Sequence, residues 1–217
     1  MRSKFWLVGL GMILLAVLVA LGVVVFQTYT PVGRASPPPP PPVGGQSARM
    51  AYAALQTWVK DWAPDAGIVA MSSSLSSSTV DAVKESGWTF QVYSPQSRRL
   101  AIAVVRGNEV LVLREQRALY KQQMLDLEAW EVDSDVLLSH WWNEMGGHAV
   151  WAMPQARTLS LRLGHRGQMD AEHPRVTSWQ LSVINDQGDL MAFWEARADT
   201  GETIKVLGRP NTGQAVD

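Results

Sequence analysis

Thr158-Leu-Ser-Leu-Arg-Leu163 and Ser178-Trp-Gln-Leu-Ser-Val183 are the two segments that decide the fold. In both segments apolar and polar side chains alternate strictly, which indicates β-strands with one buried and one solvated face. Two more strands are predicted over residues 190–197 and 203–207, each preceded by a turn sequence that contains Asp and Gly. The second half of the chain is therefore predicted to contain an antiparallel meander.

A helix is predicted before this meander, from Ser134, which can cap it, to Met145, after which Gly146-Gly147 ends it. The first half of the chain shows the same order of elements. Its helix is predicted from the capping residue Ser47 to Trp62, because apolar side chains recur there at helical spacing. Four strands follow, over residues 68–74, 88–93, 100–105 and 109–113.

The repeated order predicts a tandem duplication and an α+β fold class. A single N-terminal transmembrane helix is followed by two helix-plus-antiparallel-sheet units. Residues 115–128 are predicted to form a helix between the units, and residues 80–85 a short helical turn. The predicted regions are a cytoplasmic stub and anchor (1–30), a proline-rich linker (31–46), a first unit (47–130), a second unit (131–210) and a tail (211–217).

The anchor is predicted from an uncharged apolar run of 22 residues, from Phe5 to Phe26. A helix of that length reaches roughly 33 Å, enough to cross a hydrocarbon layer of about 30 Å. Arg2 and Lys4 precede the run, so the positive-inside rule predicts a cytoplasmic N-terminus and a C-terminal domain outside the cytoplasm. The lipid bilayer would then be one partner. The alternative is a cleaved signal peptide, although residues 27–30 are a poor cleavage site.

The linker contains six consecutive prolines at residues 37–42. Six prolines adopt polyproline II, a rod of about 19 Å at 3.1 Å per residue. Such a rod can be a ligand for a proline-binding groove or a spacer that holds a domain away from a bilayer. The sequence favours the spacer.

Charge and composition exclude several classes of function. Residues 1–36 carry three of the 19 basic side chains and none of the 20 acidic ones, so the rest of the chain is mildly acidic. A nucleic-acid partner is therefore not expected, since it would need a basic face. Cysteine is absent, which excludes disulfides, thiolate metal sites and a cysteine nucleophile.

The polar residues offer little sign of catalysis or metal binding. His140, Glu144 and His148 stand at helical spacing and could hold a metal, but Gly146-Gly147 separates the last two. No nucleophile elbow, phosphate-binding loop or dinucleotide motif occurs. We therefore predict a protein that is not an enzyme and that has no cofactor and no metal site.

Tryptophan is the main peculiarity of the composition, with ten residues in 217. Neighbouring residues on a helix point about 100° apart, so the two rings of Trp141-Trp142 are not expected to face inward together. Exposed tryptophans commonly anchor protein contacts. The candidate partner-binding residues are Trp130, Trp141, Trp142 and Trp151.

The end of the chain resembles a PepSY domain. The resemblance rests on strand Trp179-Gln-Leu-Ser-Val183, a turn at residues 186–189, a further strand, and Ala198-Asp-Thr-Gly-Glu-Thr-Ile-Lys205. That family closes with a hairpin and a D-x-x-T-G-E turn, and the turn here, Asp199 to Glu202, is shorter. The resemblance covers residues 134–207 and, more faintly, 47–114.

The resemblance implies a PepSY/cystatin-like helix packed on an antiparallel sheet, a place in the cell envelope, and a binding or protease-modulating role without catalysis. We therefore expect a membrane-anchored extracytoplasmic protein that binds or modulates another envelope protein, or an accessory subunit of a membrane complex. The alternatives are a sensor domain that binds a small ligand between the two units and an envelope hydrolase with an unrecognised site.

Overall fold

A computed structural model describes residues 36–77, 86–165 and 176–208. Contacts divide the chain into Met1–Pro37 and Pro38–Asp217, and every element below belongs to the second unit. The helices are α1 (Ala48–Trp62), α2 (Ser134–Glu144) and α3 (Gly147–Trp151). The strands are β1 (Gly67–Ser76), β2 (Trp88–Ser94), β3 (Arg99–Arg106), β4 (Glu109–Arg117), β5 (Ala156–His165), β6 (Thr177–Asn185), β7 (Leu190–Arg197) and β8 (Thr203–Leu207).

All eight strands form one antiparallel sheet in the order β4-β3-β2-β1-β5-β6-β7-β8. Each half of the chain contributes a helix and a four-stranded meander, and the first strands of the two meanders pair with each other. Their register runs from Met71 opposite Leu163 to Ser76 opposite Thr158. The predicted fold class is therefore wrong, because a single sheet with few helices replaces two separate units. Pairing β1 with β5 saturates two backbone edges that separate units would leave open.

The membrane-spanning part of that fold class is likewise not found. Among the described residues, no helix combines the length and the apolar character that crossing a membrane requires. The predicted span, Phe5 to Phe26, lies outside the described residues, as does the helical turn predicted over residues 80–85.

The two longer helices begin side by side, and side chains at the start of α2 complete the first turn of α1. Ser47 caps α1 through its hydroxyl, as predicted, whereas the cap of α2 is Asp133 and not Ser134. The Ser134 hydroxyl instead accepts a hydrogen bond from the Ala48 amide at 2.9 Å, and Asp133 Oδ1 accepts one from the Arg49 amide at 3.2 Å. Unsatisfied amides at the start of α1 therefore find partners 84 and 86 residues away in the sequence.

The helix predicted over residues 115–128 is absent. β4 continues to Arg117, which pairs with Arg99, and residues 118–133 cross from the sheet edge to α2 without helical structure. The Leu125 amide donates to the Ile68 carbonyl at 2.6 Å, which ties this crossing to β1. Pairing with β3 and with Ile68 thus overrides the helix propensity of this polar segment.

The helices cover one face of the sheet and form the core with it. α1 buries Ala48, Ala51, Leu55 and Val59 against alternate side chains of the strands. The predicted proline-rich linker also enters this unit: Val43 is only 5% exposed and belongs to the core. The strand residues of this face include Trp88, Phe90, Leu159, Leu161, Leu163, Trp179, Leu181 and Trp194.

The shared sheet predicts that both halves unfold together. Leu161 is 1% exposed and faces Ser73 across the β1–β5 pair, so Leu161→Ala should lower the free energy of unfolding by about 2–5 kcal/mol. Urea denaturation should give one transition, with tryptophan fluorescence and far-UV circular dichroism coinciding. The control Leu190→Ala, at a residue 51% exposed, should change stability by less than about 0.5 kcal/mol. Two separate unfolding transitions, of which only one shifts in Leu161→Ala, would contradict the interpretation that one sheet joins both halves.

Candidate functional site

The four predicted partner-binding tryptophans do not form an exposed surface. Trp130, Trp141 and Trp142 are 4%, 3% and 3% exposed. Trp151, at the end of α3, is half-buried and packs against the core. The expectation that Trp141 or Trp142 points into solvent is therefore wrong.

Both rings of the Trp141-Trp142 pair are buried because each has its own cover. α3 turns back beside α2 so closely that a Cβ at Gly147 would overlap the Trp141 ring. The Trp142 ring instead meets the proline-rich segment, and its Nε1 donates a hydrogen bond to the Pro38 carbonyl at 2.6 Å. The sheet is thus not the one cover available to these rings, since α3 covers Trp141 and the proline-rich segment covers Trp142.

Trp130 belongs to an aromatic cluster that joins the two halves of the sheet. Its ring packs edge-on against Trp179 at 6.1 Å, and Trp179 packs edge-on against Trp88 at the same distance. The Nε1 atoms of Trp130 and Trp179 both donate to the Val132 carbonyl, at 2.7 and 2.8 Å. The Arg49 guanidinium lies over the Trp130 ring, 5.4 Å from its centre. These contacts make Trp130 a core residue with its polar group satisfied.

The histidines singled out in the sequence do not converge. His140 Nδ1 lies 3.0 Å from Glu144 Oε2, and both side chains are largely solvent-accessible. His148 Nδ1 is instead 2.9 Å from the Trp142 carbonyl oxygen. Within the part of the chain that the structure describes, no three His, Asp or Glu side chains are grouped to hold a metal ion.

The sheet face opposite the helices carries a different feature, which we call the serine face. Its residues alternate with core residues along β1, β2, β5 and β6, and they are Ser72, Ser74, Thr89, Ser160, Arg162, Gln180 and Ser182. Ser72 lies opposite Arg162 and Ser74 opposite Ser160, so the serine face spans the junction of the two halves. Ser160 continues the row to Ser182.

A cavity of about 540 Å³ lies over the serine face. Its described lining contains two ionisable side chains, Arg106 and Arg162, and no carboxylate. The other lining groups are mainly hydroxyls, with apolar contributions from Val104 and Phe193. The cavity therefore offers neutral hydrogen-bonding groups and positive charge to whatever binds there.

The sequence carries a signal for the serine face. The strand predicted over residues 68–74 includes Ser72 and Ser74. Ser72, Ser74 and Ser76 alternate with the buried Met71, Ser73 and Leu75, which is the period of a strand. β1 extends to Ser76, two residues beyond the predicted strand.

The turn from Asp199 to Glu202 has a structural role in this fold. Arg197 holds Asp199 through two hydrogen bonds, of 2.9 and 2.5 Å, and the Thr200 amide donates to the same carboxylate at 2.9 Å. These bonds, with the Arg197 side chain first, lower the pKa of Asp199 from 3.8 to about 2. Gly201 has φ +76°, which closes the turn into β8.

Comparison with known proteins leaves the family open. No protein-family model matches the chain, and no curated protein matches it. Among solved structures, a "putative lipoprotein" from Clostridium difficile 630 is similar to 73% of this chain over 92% of its own, with 16% identity and a TM-score of 0.36. A TM-score below 0.5 does not establish a shared fold, so neither fold nor function is inferred from this likeness.

The burial of the α2 tryptophans predicts a large effect on folding. Trp141→Ala should lower the free energy of unfolding by about 3–5 kcal/mol, because it empties a filled site between α2 and α3. Asn143→Ala, at an exposed position of the same helix, should change it by less than about 0.5 kcal/mol. Equal stability of the two variants in urea denaturation would show that the Trp141 ring is not packed as described.

The Asp199 carboxylate predicts a pH-dependent contribution to stability. Its folded-state pKa of about 2 lies below its usual value of 3.8, so its contribution is present above pH 4 and is lost as the pH falls towards 2. At pH 7 Asp199→Asn should cost about 1 kcal/mol or less, since the pair is partly exposed. The difference between the two proteins should vanish near pH 2. Asp65 and Glu115, whose pKa values are also lowered, titrate equally in both proteins. A difference that persists at pH 2 would contradict this origin.

Proposed function

We propose that this protein is a non-catalytic binding module that acts outside the cytoplasm and uses the serine face to hold a segment of another envelope protein. The observation that carries this proposal is the cavity of about 540 Å³ over the junction of β1 and β5. Its lining of hydroxyls, amide and guanidinium groups, placed on rigid strands, suits recognition of polar and acidic peptide groups.

The chemistry of the lining favours binding over catalysis. A serine nucleophile needs a base within hydrogen-bond reach. The ionisable groups among the described lining residues are Arg106 and Arg162, which stay protonated and cannot accept a proton. The hydroxyls of Ser72, Ser74 and Ser160 therefore serve as hydrogen-bond donors and acceptors.

Both halves of the sheet contribute to this surface, so it depends on the complete fold. Gln180 and Ser182 come from β6, whereas Ser72 and Thr89 come from β1 and β2. Apolar side chains border the polar centre: Leu111 and Leu113 of β4 are 52% and 58% exposed. A polar centre with apolar margins can pair polar groups of a partner and still bury apolar area.

The proposed location outside the cytoplasm is supported by the sequence. The uncharged run from Phe5 to Phe26, preceded by Arg2 and Lys4, has the composition of a segment that directs a chain to the membrane. The proposed location does not require a membrane-spanning helix. The PepSY-like end of the chain agrees with an envelope protein.

A second candidate function is binding of a small anionic ligand at the same face. The cavity volume falls in the range of about 300–1,000 Å³ that is usual for ligand sites, and Arg106 and Arg162 supply the charge. This would make the protein a sensor or carrier rather than a partner-binding module.

Site-specific photocrosslinking in intact cells tests the proposed function. A photoreactive amino acid at Ser74 or Gln180 should give crosslinks to one protein partner. The same amino acid at Gln56, an exposed position of α1, should not. Arg162→Glu should reduce the Gln180 crosslink at least fivefold, because it reverses a charge in the lining. Equal crosslinking from Gln56 and Ser74 would contradict a partner on the serine face. Crosslinks that vanish when a small anion is added would favour the second candidate.

The proposed location is tested by protease added to spheroplasts that express the protein with a C-terminal tag. We expect the tag to be lost without lysis, whereas a cytoplasmic control protein should stay intact. If the tag is digested only after the spheroplasts are lysed, the domain lies in the cytoplasm.

A further inference from the structure

The proline-rich segment of residues 38–46, which we call the proline strap, is held at both ends by tryptophan side chains. At its start, Trp142 Nε1 of α2 donates to the Pro38 carbonyl at 2.6 Å. At its end, Trp88 Nε1 of β2 donates to the Gln46 carbonyl at 2.8 Å. Between these bonds the Val43 side chain enters the core and is 5% exposed. The proline strap is therefore held at both ends and at Val43, in contrast to the spacer predicted from the sequence.

The contact at the start of the proline strap has the chemistry of polyproline recognition, whereas the acceptor at its end, Gln46, follows the prolines. A polyproline II segment has no internal hydrogen bonds and its prolines carry no amide hydrogen, so it offers its carbonyls as acceptors. A buried tryptophan N–H needs an acceptor. Grooves that bind proline-rich ligands place aromatic side chains along the segment in this way. Trp142 and Trp88 provide that arrangement on the helix-covered face.

The C-terminal end of the proline strap is selective for its own sequence. The Val43 amide donates to Pro41 at 2.9 Å and the Gly45 amide to Pro42 at 3.2 Å, which turns the chain after the prolines. Gly44 has φ +80°, and a Cβ there would overlap the Trp88 ring. A ligand must therefore end its prolines with a small apolar residue and a glycine.

The proline strap leaves space beneath it. A cavity of about 220 Å³ lies between Pro40–Pro42 and the first turns of α2, with Leu138, Ser139 and Leu161 in its wall. Val43, Gly45 and Gln46 also line this cavity, so it extends towards the end of the proline strap. Release of the proline strap requires breaking three described hydrogen bonds, those of Trp142, of Trp88 and of Gln46 Nε2 with the Gly107 carbonyl at 2.9 Å, and withdrawing one valine.

We propose that α2 and the start of β2 form a binding groove for polyproline segments that end in Val-Gly, and that the chain's own proline strap occupies this groove reversibly. The second occupant that the chemistry admits is the same segment from another copy of this chain. The proposal is independent of the serine face, which lies on the other side of the sheet.

The full-length chain allows a direct test because it contains no native cysteine. A single cysteine is introduced by Val43→Cys, with Ala53→Cys at an exposed position of α1 as the control. Labelling by a maleimide should be at least about tenfold slower at residue 43, since it requires local opening. Equal rates would show that the proline strap is not docked and would overturn the proposal.

Two further arms test recognition. Trp142→Phe removes one donor and should raise the labelling rate of Val43→Cys several-fold. Trp62→Phe, at the far end of α1, should not raise it.

A synthetic peptide of residues 36–46 at several millimolar, comparable with the effective concentration of the tethered segment, should raise the labelling rate at least twofold. The same peptide with Asp at the valine position should have no effect.

The peptide arm uses Val43→Cys alone, so it remains decisive if Trp142→Phe fails to fold. If the peptide of residues 36–46, at its highest soluble concentration, leaves the labelling rate of Val43→Cys unchanged, the proposal of a reversible groove is overturned. The crosslinks expected at the serine face should be the same with and without the peptide. A failure of one proposal can therefore be told from a failure of the other.

Discussion

The antiparallel pairing of β1 with β5 is the interaction on which the rest of the structure depends. It places two four-stranded meanders side by side and gives them a common core face, over which α1 and α2 pack. It also creates the serine face, since Ser72, Ser74 and Ser160 become neighbours through this pairing alone. Without it, each meander would expose an unpaired backbone edge and half of a hydrophobic face.

Tryptophan has a consistent role in closing this core. Five tryptophans use their ring N–H to bind a defined oxygen atom: Trp130 and Trp179 share the Val132 carbonyl, Trp142 and Trp88 hold the two ends of the proline strap, and Trp194 donates to Thr203. Each ring therefore buries a large apolar area and fixes one loop or strand at the same time. This is how irregular segments become part of the core in a chain that has no disulfides.

The sequence predicted the elements well and their assembly poorly. Alternation located the strands, since the period of a strand is a local property, and Ser47 marked the start of α1. The partner of β1 could not be found in this way, because a pairing between residues about 90 positions apart leaves no trace in local period. The same limit explains the buried Trp142, whose cover, Pro38, lies 104 positions away. Trp141 is buried beside Gly147 of α3, a short helix that the sequence did not predict. The serine face was not predicted, because its two halves become neighbours only where β1 pairs with β5.

The shared start of α1 and α2 has a consequence for synthesis. The acceptors for the Ala48 and Arg49 amides are side chains of Ser134 and Asp133. A nascent chain that ends before these residues has a first helix with unsatisfied amides and a β1 strand without one of its neighbours. The contacts that join the first half to the second must therefore wait until the second half has left the ribosome, and until then β1 exposes an edge to which other chains can add.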